Sequence, residues 1–177
     1  MNIVILDRDG VINQDSDAFI KTPEEWIAIP GSLEAIARLN QAGYRVVVAS
    51  NQSGLARGLF DQATLETIHK KMESSLRKLG GRLDGIYYCP HGPDDNCHCR
   101  KPKPGLLLQI AEDLGLDSIE GVLVGDSLRD LQAAQAVGIK PVLVLTGKGK
   151  KSTAELGKNS EIETYNDLAD FVARLLA

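Results

Sequence analysis

The chain has 177 residues, 43% hydrophobic and 25% charged, with a formal net charge of -4. That length fits one domain able to bury roughly 70% of its unfolded surface, so the core needs no staple. The acidic balance argues against a general nucleic-acid binder, and no apolar run approaches a membrane span, so a cytoplasmic monomer without nucleic-acid or membrane partners is expected.

Residues 3–6 form a short β-rich apolar run that reads as a buried strand. It ends in Asp7-Arg8-Asp9-Gly10. The i, i+2 spacing points both carboxylates the same way, where they repel unless a cation joins them or one takes a proton. The pair therefore reads as a metal site, an acid–base group or a solvated turn. Residues 14–21 are polar, carry Asp15, Ser16 and Asp17, and read as a loop above the strand end. After a connector, Ser32 is expected to cap a helix that buries Leu33, Ile36, Ala37 and Leu39 and stops near Gly43.

Residues 44–49 read as a second buried strand, followed by the polar turn Ser50-Asn51-Gln52-Ser53-Gly54. Asp61 opens an amphipathic helix with Leu65, Ile68, Met72 and Leu76 inward. His69 on that helix is expected at the surface. A third strand spans 83–88 and runs into a cysteine-rich loop. Pro104 starts a helix reaching about Leu114. Residues 121–124 give a fourth strand ending in Gly125-Asp126-Ser127, 128–137 a helix, and 141–145 a fifth strand. Residues 146–151, with Lys148, Lys150 and Lys151, read as a solvated loop; a last helix covers about 168–176. No repeat or linker divides the chain, so residues 1–177 are expected to form one doubly wound α/β domain with its site at the carboxyl ends of the strands.

Asp126 should rise beside Asp7, and a few carboxylate oxygens plus waters suit Mg²⁺. Asp130, one turn later, either supports that site indirectly or faces solvent. Ser50 and Asn51 offer a hydroxyl, an amide and backbone N–H groups to a phosphate oxygen. Lys101 would neutralise charge on a transferring phosphoryl group, and Arg100 would grip a substrate phosphate. Arg57 is placed either at the surface or on substrate. Cys89, His91, Cys97 and Cys99 have the types and spacing of a closed structural zinc site, with alternation pointing His98 away.

Asp7-Arg8-Asp9-Gly10, Ser50-Asn51, Lys101 and Gly125-Asp126 together resemble the motif set of the haloacid dehalogenase superfamily of phosphatases, over about residues 3–147. Cys89-Pro90-His91 and Cys97-His98-Cys99-Arg100-Lys101-Pro102 are similar to its zinc-loop branch, which acts on heptose bisphosphate or histidinol phosphate. The stretches 51–58 and 85–91 look more like the heptose side. The short Gly92-Pro93-Asp94-Asp95-Asn96 segment looks more like the histidinol side, and Ser127 stands where some relatives carry a basic residue. The resemblance implies a Rossmann-like domain with no large cap. It implies Asp7 as nucleophile forming an aspartyl-phosphate, Asp9 as general acid and base, and Ser50 and Lys101 stabilising the phosphoryl group. Mg²⁺ would be held by Asp7, the Asp9 carbonyl and Asp126. Asp9 would hold its proton because another carboxylate lies beside it. Asp15, Ser16, Asp17, Asn51, Gln52, Ser53 and Arg100 would contact substrate. The contrasting possibility is a zinc-stabilised binding module without catalysis.

Overall fold

A computed structural model describes residues 3–177. Among them the strands are β1 (Ile3–Leu6), β2 (Arg45–Asn51), β3 (Gly85–Cys89), β4 (Gly121–Gly125), β5 (Lys140–Val144) and β6 (Glu163–Tyr165). The helices are α1 (Ser32–Gln41), α2 (Gln62–Arg77), α3 (Gly105–Asp113), α4 (Leu128–Ala136), α5 (Gly149–Leu156) and α6 (Leu168–Leu175). The strands pair in parallel in the order β3-β2-β1-β4-β5-β6.

The apolar strand runs have a direct cause: both faces of the sheet are covered. Val4, Leu6, Val46, Val48 and Val124 pack under residues of α1, α2 and α6. Ile3, Ile5, Val47, Ala49 and Leu123 point the other way, toward Leu106, Leu107 and Ile110 of α3 and Ala133 and Ala134 of α4. The strand order reverses at β1, so a crevice opens above the carboxyl ends of β1 and β4. Register then sets the site. Leu6 lies opposite Val124, and Asp7 donates its backbone N–H to Val124 O at 3.0 Å. The next residues of each chain leave the sheet side by side.

Some expected boundaries move. β2 continues through Ser50 and Asn51, because Asn51 still pairs with Cys89 of β3. Gly31 rather than Ser32 caps α1, at φ +85°, and Ser32 instead donates its buried hydroxyl to Val11 O at 2.8 Å. Residues 146–151 are not a free loop: α5 starts at Gly149. α5 buries only Gly149 and Ser152, so no apolar stripe announces it. β6 is a three-residue edge strand with no buried residue, and it too has no pattern to read.

Candidate active site

Asp7, Asp126 and Asp130 bring carboxylate oxygens within 4.8 Å of one another at the crevice. Lys101 reaches them from the turn that follows Cys99. Its buried ammonium lies 3.1 Å from Asp7 Oδ1 and 2.6 Å from Asp130 Oδ1, and donates to Ala49 O at 2.7 Å. Burial pushes Asp7 up to about 7; the charges of Asp130 and Asp9 add to this and Lys101 opposes it. Burial and the charges of Asp7 and Asp130 carry Asp126 up to about 8. Lys101 is raised, because the paired carboxylates outweigh its burial. Three carboxylates facing one lysine leave excess negative charge, and an all-oxygen donor set of this kind suits a hard divalent cation such as Mg²⁺. Asp130, left open between a supporting and a solvent role, is buried. Its Oδ2 accepts from Ser127 N and Oγ at 3.0 and 2.8 Å, while Oδ1 holds Lys101.

Asp9 has different surroundings. Its carboxylate accepts from Arg8 Nε (3.0 Å) and Nη2 (3.2 Å), Asn13 Nδ2 (2.8 Å) and Gln52 Nε2 (3.1 Å). Burial acts to raise it, but the Arg8 charge and these hydrogen bonds win, and Asp9 sits below the usual carboxylate range. The like-charge rise expected at Asp9 falls on Asp7 instead, because Arg8 neutralises Asp9 locally. Gln52 Nε2 also donates to Ser50 Oγ at 2.7 Å, tying the acid–base candidate to the phosphate-site hydroxyl. Asn51 is committed differently from expectation. Its Oδ1 accepts from Lys101 N (3.0 Å) and its Nδ2 donates to Lys101 O (3.1 Å), so its amide clamps the lysine's backbone. His69 is buried, not at the surface: its Nε2 lies 3.3 Å from Arg8 Nη1 and its ring tilts against Tyr88.

A cleft of about 310 Å³ opens above these groups. Asp15, Ser16, Asp17, Asn51, Gln52, Ser53 and Arg100 all line it, as do Phe19, Arg57, Arg129 and Lys148. Arg57 lies over the Phe19 ring, 5.5 Å from its centroid. Burial and repulsion from Arg129 and Arg57 lower the Arg100 pKa, and all three guanidinium groups line the cleft. Lys148, expected in a solvated loop, pairs with Asp15 at 3.2 Å and donates its backbone N–H to Asp126 Oδ2 at 2.8 Å. Thr146 Oγ1 donates to Gly10 O (2.6 Å), and Ser152 Oγ to Asp126 O (2.8 Å). Backbone groups and hydroxyls do this bracing, and neither leaves a periodic sequence signal. Arg57, left open between surface and substrate, lines the cleft, whereas Phe19 and Arg129 carried no signal that singled them out.

The cysteine loop closes on itself as its spacing suggests. Cys89 Sγ lies 2.8 Å from Cys99 Sγ, 3.6 Å from Cys97 Sγ and 3.5 Å from His91 Nδ1. All four ligand atoms fall within 4.8 Å of one another, and His98 is exposed and outside the group. Burial pushes the Cys89 thiol up to about 12, so thiolates this close need a cation among them. Three sulfurs and one imidazole nitrogen are donors that suit zinc. Arg100 and Lys101 follow Cys99 directly, and Arg100 Nη1 donates to His91 O at 3.4 Å.

Known proteins are similar to this chain in sequence and fold. A family profile described as "HAD-hyrolase-like" matches residues 98–173. The D-glycero-beta-D-manno-heptose-1,7-bisphosphate 7-phosphatase of Bordetella bronchiseptica is 57% identical over 176 residues, 99% of this chain and 98% of the relative. The crystal structure of D,D-heptose 1,7-bisphosphate phosphatase from B. bronchiseptica, complexed with magnesium and phosphate, superposes with a TM-score of 0.95, covering 99% of this chain and 98% of that one. The corresponding enzyme of Burkholderia thailandensis is 47% identical with a TM-score of 0.78, covering 100% and 99%. Full-length identity at this level, on a common fold, leaves one assignment: the chain belongs to the D,D-heptose 1,7-bisphosphate 7-phosphatase family of haloacid dehalogenase-like hydrolases.

Proposed function

We propose that the chain is a Mg²⁺-dependent phosphatase that removes the 7-phosphate of D-glycero-β-D-manno-heptose 1,7-bisphosphate. The observation that carries this reading is the junction of Asp7, Asp126 and Lys101 at the floor of a cleft walled by three arginines. Asp7 attacks phosphorus, its oxygen–phosphorus bond forming as the bond to the sugar oxygen breaks. Lys101 and Ser50 take the charge of the phosphoryl oxygens. Asp9 gives its proton to the leaving sugar oxygen, then takes one from the water that releases phosphate from Asp7. The Arg8 fork favours the charged Asp9 that the second half needs; a substrate phosphate brought alongside raises its proton affinity for the first. Mg²⁺, held by Asp7 and Asp126 with the Asp9 carbonyl, would keep Asp7 ionised and offset phosphate charge.

Arg100, with Arg57 and Arg129, takes the phosphate that is retained, and Asp15, Ser16 and Asp17 face the sugar hydroxyls. This favours a bisphosphate over histidinol phosphate, whose amine would meet three guanidinium groups. Zinc on Cys89, His91, Cys97 and Cys99 is structural, since four protein ligands leave no open position. The reading places a monomeric enzyme in the cytoplasm, supplying heptose 1-phosphate for nucleotide-activated heptose and lipopolysaccharide core.

The test compares kcat/KM on heptose 1,7-bisphosphate and histidinol phosphate, with Asp7→Asn alongside. We expect the bisphosphate to be preferred at least about tenfold and the variant to lose about 10³ in kcat. A tenfold preference for histidinol phosphate would overturn the substrate; equal phosphate release by the variant would overturn the nucleophile.

A further inference from the structure

Arg8 sits between two aspartates with no exposed surface. A guanidinium that deep in the protein needs a partner on every edge. Nε and Nη2 fork the Asp9 carboxylate, and Nη2 also approaches Gln52 Oε1 at 3.5 Å. The remaining edge, Nη1, faces His69 Nε2 at 3.3 Å. A guanidinium only donates, so this nitrogen must present its lone pair and the ring proton must sit on Nδ1.

His69 is fixed by its helix. It lies on the buried side of α2 with Leu65, Ile68, Met72 and Leu76, and its ring centroid is 5.9 Å from that of Tyr88. It does not line the cleft, so it does not touch substrate. An apolar side chain there would continue the packing stripe but leave Nη1 without an acceptor. Arg8 could then rotate, and Asp9, forked by two of its nitrogens, would move with it, while Gln52 keeps its own bond to Ser50.

We propose that His69 is a positioning residue for this phosphatase, holding the Asp9 carboxylate in register with the leaving oxygen through the buried guanidinium of Arg8. The proposal rests on Asp9 being the acid–base group. Its effect belongs in kcat, because what moves is the proton carrier and not the substrate's grip. Misplacement of a catalytic group by about an ångström costs up to about 100-fold.

The experiment uses His69→Gln, His69→Asn and Asp9→Asn in the full chain, assayed on heptose 1,7-bisphosphate with Mg²⁺. Glutamine can bring an oxygen close to the place of Nε2; asparagine is too short. His69→Asn is expected to lower kcat about 10- to 100-fold with KM within about twofold, and His69→Gln to recover kcat to within about threefold of wild type. Asparagine is the poorer helix former of the two by a few tenths of a kcal/mol, so the melting temperature of each variant is recorded and kcat is compared well below both transitions. Equal kcat in the two variants, whether both reduced or both intact, overturns the proposal, as does a loss that appears only in KM. Asp9→Asn separates the underlying reading: a variant that retains wild-type kcat removes Asp9 from the chemistry whatever the His69 variants do.

Discussion

Asp126 is gripped between two glycines. A methyl group on Gly147, at φ +54°, would lie 2.1 Å from Asp126 Oδ2 and 2.6 Å from Gly10 Cα. One on Gly10, at φ +85°, would lie 2.0 Å from the same oxygen. The requirement is both conformational and steric, since an L side chain is disfavoured at these φ values and space is lacking. Gly147→Ala should therefore push the Asp126 carboxylate off its Lys148 N–H and lower Mg²⁺ affinity about 10- to 100-fold. Titrating activity against Mg²⁺ checks this, and an unchanged half-saturating concentration would remove Gly147 from the metal site. At this scale Asp7, Asp9 and Asp126 stood out in the sequence, because charged residues after an apolar run are conspicuous. Gly147, Thr146 and Ser152 did not. They act through the absence of a side chain, or through one hydroxyl, on a residue more than twenty positions away in the chain.

The cysteine loop gathers three sulfurs and one imidazole at the edge of a core, where Cys89 is buried and Cys97 and Cys99 pack against it. Between Gly92 and Asn96 its residues are largely exposed, yet it delivers Arg100 and Lys101 to the cleft. Removal of zinc should free this loop and disturb both. Structural zinc in small sites contributes on the order of 10 kcal/mol of binding energy, so a lowered melting temperature and lowered kcat should appear together. Metal analysis is expected to give about one zinc per chain, lost in Cys97→Ser and retained in His98→Ala. A zinc-free chain that melts and turns over like the native protein would contradict this assignment. The ligand set was legible because zinc loops are local in sequence. The clamp of Asn51 on the Lys101 backbone was not, because it joins β2 to a residue fifty positions later.

For the whole molecule, the buried carboxylates link stability to pH and to metal. Unfolded, Asp7 and Asp126 lose their protons near 3.8; folded and without metal, they hold them to about 7 and about 8. Between those values the folded state binds more protons than the unfolded one, so stability falls as pH rises. Asp9 works the other way: its stabilisation is present above the ordinary carboxylate value and is lost only at lower pH. Mg²⁺ competes with protons on Asp7 and Asp126, and ligand that binds the folded state alone stabilises it. Below about pH 6.5 His69, lowered to about 4 by burial, pulls the other way, so the melting temperature of protein freed of Mg²⁺ should decline from about pH 6.5 to pH 8, while the gain on adding Mg²⁺ grows over the same range. A gain independent of pH would show that these carboxylates do not bind the ion.

The sequence by itself determined the buried strand runs, the sheet class, the aspartates at the strand ends and the Cys/His cluster. Each is written in local composition: apolar runs, charges that interrupt them, and closely spaced cysteines. Only the tertiary structure decided that Asp9 is held below the usual carboxylate range while Asp7 is raised, that Asp130 supports Lys101, that His69 is buried against Arg8, and that residues 146–152 brace Asp126. These follow from which elements the strand order sets side by side. Proton affinity depends on the charges and burial that this packing creates, and no single stretch of sequence contains both partners.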